Sequence, residues 1–258
     1  MAALNNTYDT TLLRQETAVG AVAQIILLAL LGTALGLGPA GWLTGLAFAF
    51  ATWAVLTRAV CRSWLRSFGA ANRVTLARAT LVGGVTALVA DSFQSPPRVP
   101  VLVALTTVAL ILDAVDGKVA RRTGTASPLG ARFDMEVDAF LILVLSVYVA
   151  TSLGPWVLTI GAMRYAFVAA ARALPWLNEP LPVNTARKAV AALQGIALLV
   201  AAAAILPHPV SFAVVLVALA LLVWSFARDI RWLWHTRTRH AATGRSAAVV
   251  RRMTHADA

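Results

Sequence analysis

Acid is scarce in this chain. Only 11 of its 258 residues are Asp or Glu, and charged residues of both signs make up 13%. Soluble domains carry about 25%, so an ordinary soluble globular domain is excluded. Cysteine occurs once, at Cys61, which rules out an internal disulfide and a cysteine-based metal site. Histidine is sparse too. His208 falls in a short loop, and the other three lie in the C-terminal tail without the spacing of a zinc site. A bound metal would therefore be held by oxygen.

Apolar residues fill the space that charge leaves. They make up 59% of the chain, mean hydropathy is +0.76, and they fall in blocks long enough to span a bilayer. The pattern predicts an all-α polytopic membrane protein of about eight spans, near residues 19–37, 42–57, 74–90, 99–120, 133–152, 156–174, 187–206 and 210–228. Turns at Gly38-Pro39, Ser95-Pro96-Pro97, Gly154-Pro155 and Pro207-His208-Pro209 separate them. A signal peptide is the alternative for the first run. Its apolar length, and Glu16 after Arg14, favour a retained span. Residues 1–18 form a polar N-terminal segment, 19–57 a transmembrane hairpin, 72–230 a six-span unit and 231–258 a basic tail. Between hairpin and six-span unit, residues 58–71 differ. Val60, Trp64, Leu65 and Phe68 share one face, with Arg58, Arg62 and Arg66 around them, as in a helix lying on a membrane surface. Continuation of the second span is the alternative.

Net charge is +11, and the basic residues are clustered: Arg58, Arg62, Arg66, Arg73 and Arg78; Lys118, Arg121, Arg122 and Arg132; Arg172, Arg187 and Lys188; and the stretch from Arg228 to Arg252. Alternate loops hold nearly all of them. That alternation reads as cytosolic loops meeting anionic lipid rather than as a nucleic-acid surface. It places both termini in the cytosol and the protein in the cytoplasmic membrane. Gln24, Thr106 and Thr107 are isolated polar residues within spans, where hydrogen bonds between helices are expected.

Over a third of all the acid lies in one window: Asp113-Ala-Val-Asp116-Gly117-Lys-Val-Ala120-Arg121, eight residues, then Gly130-Ala-Arg-Phe-Asp134-Met-Glu136-Val-Asp138. Asp113 and Asp116 are spaced i, i+3, and Asp134 and Asp138 i, i+4, so each pair shares a helix face. A short return near 122–132 makes the two helices antiparallel neighbours and can bring the four carboxylates together. Repulsion among them calls for a cation. All-oxygen ligation suits Mg²⁺ or Mn²⁺, and two such ions could clamp a phosphoryl group. Gly117 leaves room for a ligand against the helix, and Arg121, two turns beyond Asp113, suits a phosphate. Structural ion pairs are the bland alternative for any single aspartate. Glu136, on another face, reads as a surface residue or a salt-bridge partner.

The window resembles the CDP-alcohol phosphotransferase signature, D-x2-D-G-x2-A-R-x8-G-x3-D-x3-D, at every fixed position and spacing. The resemblance extends over the six spans from about residue 72 and the interfacial helix before them. It implies a six-helix bundle, to which the hairpin 19–57 is an addition. It further implies an enzyme of phospholipid synthesis that transfers a phosphatidyl or similar group from a CDP-linked donor, such as CDP-diacylglycerol, to an acceptor hydroxyl with release of CMP. By the same resemblance Asp113, Asp116 and Asp134 are metal ligands. Asp138 is the last ligand and the general base. Gly117, Arg121 and Ser127 belong to the CDP site. Asn72-Arg73-Val74-Thr75 resembles the family's asparagine-x-x-threonine segment at the nucleotide, although Asn72 is also a natural helix N-cap.

Arg164, Arg172, Arg187 and Lys188 are candidates to hold an anionic acceptor, such as a sugar or polyol phosphate; membrane anchoring is the alternative. Where the inositol-phosphate-using branch carries lysine-x-arginine, this chain has Ala170-Ala171-Arg172, which counts against that acceptor. Members of the family are often homodimers, so a second copy of the chain is a candidate partner. A cation transporter or a non-catalytic membrane scaffold is the rival reading. The fixed spacing, and charges at helix ends rather than midplane, argue against the transporter.

Overall fold

The computed structural model describes the backbone of residues 2–62, 70–123, 128–179 and 185–256, and the side chains of residues 17–58, 72–115, 130–179 and 186–237. Every regular element in these residues is helical. The α-helices are α1 (Ala2–Leu35), α2 (Pro39–Arg62), α3 (Ala70–Asp91), α4 (Val99–Thr123), α5 (Pro128–Leu153), α6 (Leu158–Ala173), α7 (Thr185–Ala202) and α8 (His208–Ala256), with single 3₁₀ turns at Pro155–Val157 and Pro175–Asn178.

The connections follow turn chemistry. Gly36 takes φ +70° after α1, and Pro39 opens α2, where a missing N–H costs nothing. The Gly38 N–H donates to the buried Asp91 Oδ1 at 2.7 Å, which fastens the α1–α2 turn to the far end of α3. Gly154, at φ +105°, reverses the chain between α5 and α6. These two helices then approach so closely that a Cβ on Gly161 would lie 2.5 Å from Leu143 Cα.

Helix α3 is the centre of the molecule, with α1, α2, α4 and α5 packed around it. Helix α5 also meets α6 and α7, and α7 meets α4 and α8. Val82, Val85, Leu141, Leu145, Val149 and Leu198 form the core between them. Among the described residues α4 and α5 scarcely touch. The expected antiparallel pair is instead two helices flanking a third.

Among the described residues, five helices are long and apolar enough to cross a membrane: Thr17–Leu35, Pro39–Arg58, Asn72–Asp91, Gly130–Leu153 and His208–Arg237. The protein is thus an all-helical, multi-pass membrane protein. Eight α-helices stand where eight spans are expected; α4 runs 25 residues, and α6, at 16, falls short of the about 20 that a 30 Å hydrocarbon core requires.

Three further details bear on the expectations from sequence. The segment 58–71 does not begin as a separate helix, because α2 continues to Arg62; residues 63–69 lie outside the described ones. The polar N-terminal segment and the basic tail are continuous with α1 and α8. Finally, Gln24, Thr106 and Thr107 make no hydrogen bond between helices among the described residues, whereas Gln194 of α7 donates to the Ala218 carbonyl of α8 at 2.9 Å. Thr107 Oγ1 donates to Val103 O one turn back at 2.7 Å. Thr106 and the Gln24 amide are buried with no hydrogen-bond partner among the described residues. A threonine hydroxyl reaches its own helix's carbonyl with little entropy loss, so the local bond prevails.

A carboxylate cluster around a buried arginine

Helix α3 opens with a polar stripe. Asn72, Thr75 and Arg78, three residues apart, are 4%, 3% and 0% exposed. Arg78 is therefore not the membrane-surface cation expected from its place in a basic cluster. Its register on the central helix turns it inward, to where α4 and α5 end their approach from either side.

There its guanidinium gathers three carboxylates. One terminal nitrogen, Nη1, donates to Asp113 of α4. The other, Nη2, donates to Asp134 of α5 at 2.6 Å, to the Asp134 carbonyl at 3.1 Å, and lies 3.1 Å from Asp138 Oδ1. The planar fork suits this role, since it offers several charge-assisted bonds in fixed directions. Because α4 and α5 both pack on α3 and scarcely touch among the described residues, the arginine bridges the two helices. The aspartate side chains remain 34–38% exposed, so the cluster is closed on the α3 side and open on the other.

The donor set fits a divalent cation. One carboxylate oxygen each from Asp113, Asp134 and Asp138 lie within 4.8 Å of one another. All ligands are hard oxygens, as Mg²⁺ and Mn²⁺ prefer. Three formal negative charges face one guanidinium, which leaves an excess of two for a cation to offset.

The remaining candidates are distributed around this cluster. The Asp116, Gly117, Arg121 and Ser127 side chains lie outside the described residues. Arg73 is on the exposed side of α3. Arg164 of α6 pairs with Glu136 at 2.5 Å, one helical face away from the aspartates. Arg187 at the start of α7 pairs with Asp229 of α8 at 3.3 Å. Arg172 and Lys188 are exposed. Arg78 is the residue missed in the sequence reading. The signal was the three-residue repeat of Asn72, Thr75 and Arg78 along one face of an otherwise apolar helix.

Fold and site together define a helical membrane protein with an oxygen-ligand cluster at one end of its bundle. The profile of the CDP-alcohol phosphatidyltransferase family matches residues 68–224, more than half of the chain and the stretch that holds every member of the cluster. The chain belongs to that family, whose members are membrane transferases of phospholipid synthesis that generally use divalent metals. Searches among curated proteins and among solved structures found no match.

Proposed function

We propose that the protein transfers a phosphatidyl or similar phospho-alcohol group from a CDP-linked donor, CDP-diacylglycerol or a relative, to an acceptor hydroxyl. The observation that carries this reading is the convergence of Asp113, Asp134 and Asp138 within 4.8 Å in a chain of this family. In this reading Asp113, Asp116, Asp134 and Asp138 hold two Mg²⁺ or Mn²⁺ ions. Bound there, the ions would offset the diphosphate charge and stabilise the departing CMP.

The chain's own residues do the rest. Asp138 takes the proton from the acceptor hydroxyl at a carboxylate oxygen. The acceptor oxygen bonds to the lipid-side phosphorus, the bond from that phosphorus to the bridging oxygen breaks, and CMP leaves with the electron pair. Arg78, bonded to three of the carboxylates, keeps them in position. Asn72, Arg73, Thr75, Gly117, Arg121 and Ser127 form the donor site. An anionic acceptor would be drawn to Arg164, Arg172, Arg187 and Lys188, of which Arg164 and Arg187 would first have to share or exchange their carboxylate partners. The bundle 72–230 is the catalytic unit, with the site at the cytosolic face of the cytoplasmic membrane. The hairpin 19–57 is an added pair of spans, and a homodimer is the proposed assembly.

The test uses the purified full chain in nanodiscs with Mn²⁺ and CDP-diacylglycerol. Glycerol 3-phosphate, inositol phosphate and serine are supplied in turn, and CMP is measured. Release with one acceptor names the reaction; release with none overturns the reading. Asp138→Asn is expected to lower CMP release by at least about 10²-fold, the usual contribution of a general base, while CDP-lipid binding persists.

A further inference from the structure

We propose that the end of α8 carries a groove for the phosphate of an anionic phospholipid headgroup, separate from the carboxylate cluster and independent of its chemistry. At 1.5 Å per residue, about 20 residues from His208 cross a 30 Å hydrocarbon core. Arg228 and the residues after it therefore enter the headgroup layer. They do so at the same end as the aspartates, because the Asp229–Arg187 pair ties this part of α8 to the start of α7.

A cavity of about 380 Å³ lies there, lined by Arg228, Arg231, Trp232, His235 and Thr236. Their spacing of three and four residues puts them on one face of the helix. The cavity's charge is positive. Asp229 is shared between Arg228 at 3.6 Å and Arg187 at 3.3 Å, so one carboxylate faces two guanidinium groups, and Arg231 adds a third.

Aromatic residues decide which anion fits. Trp224, Trp232 and Trp234 are 55%, 41% and 50% exposed, and the Arg228 guanidinium lies 5.0 Å from the Trp224 ring centre. Exposed tryptophans at this depth sit among glycerol and headgroup atoms. A cation held over such a ring, beside two further basic side chains, faces a lipid phosphate rather than bulk solvent. Arginine forks match phosphate oxygens geometrically, and basic residues in this layer favour anionic lipid.

The experiment compares full-length protein in nanodiscs of phosphatidylcholine with and without phosphatidylglycerol, and counts retained phosphatidylglycerol by native mass spectrometry. Retention is expected to fall roughly fivefold for Arg231→Gln and further for Arg231→Gln with His235→Gln. Arg231→Lys should keep most of it. Arg132→Gln, an exposed cation outside the groove, should leave it unchanged. Equal losses in the Arg132 variant, or none in the double variant, would overturn the proposal in favour of diffuse attraction or no site. Displacement of the lipid by millimolar inorganic phosphate would overturn it in favour of a free-anion site.

Discussion

Helices α3 and α8 are both membrane spans, yet they are built on opposite terms. The α8 span is the more hydrophobic, and 22% of its most apolar stretch is buried; the α3 span carries Asn72, Arg73, Arg78 and Asp91, and 67% of its most apolar stretch is buried. In water the order would be reversed. Lipid tails are as apolar as leucine, so apolarity gives a helix no reason to leave them. What draws helices together is close packing and polar contact. Helix α3 supplies both, through Ala79, Gly83, Gly84 and Ala87 for close approach and through Arg78 for the carboxylates of two neighbours. Helix α8 presents Leu216, Val217, Leu221, Val223 and Trp224 outward, where lipid meets them.

Matched substitutions on the two helices would break or sharpen this contrast. The largest effect is expected at Arg78→Met, which removes the charge that three carboxylates share. It should lower stability by about 3 kcal/mol in SDS-titrated micelles containing chelator, with part of the loss recovered in millimolar Mn²⁺. No recovery would mean that the cluster does not take a cation. Next comes Val82→Ala at a fully buried site on α3, expected to cost about 1–2 kcal/mol as an unfilled cavity. Gln24→Leu should act in the opposite direction. Its amide is buried against Gly83 of α3 with no partner among the described residues, so an apolar replacement should raise the thermal midpoint by the equivalent of about 1 kcal/mol. A fall instead would reveal a water or a partner for the amide. The smallest effect is expected at Val217→Ala on α8, within about 0.5 kcal/mol in the same assay. A loss there as large as at Val82 would end the distinction between the two helices.

Much of this arrangement was legible from spacing alone. The helix positions followed the apolar blocks and the Gly-Pro turns, because both are local properties of the chain. Asp134 and Asp138 share a face because four residues make about one turn, and Glu136 pairs with Arg164 because that spacing points it elsewhere. Arg78 was not legible in the same way. Counted with Arg73 and Arg58 it belongs to a basic cluster at a membrane surface, and only the α3 register separates it from them. Nor could spacing show that α4 and α5 flank a third helix. Loop length says how far apart two helices can be, not what stands between them.

The sequence by itself determined that this is a helical membrane protein, which residues carry its charge, and which family it belongs to. These rest on composition, period and fixed spacing, none of which needs a distant contact. The tertiary structure alone decided that α3 is the centre, that Arg78 lies inside, and that Asp113 meets Asp134 and Asp138 across it. Those depend on which helix faces pack together. In a bilayer that choice is made by small residues and buried charge, not by the hydrophobicity that is easiest to read along a chain.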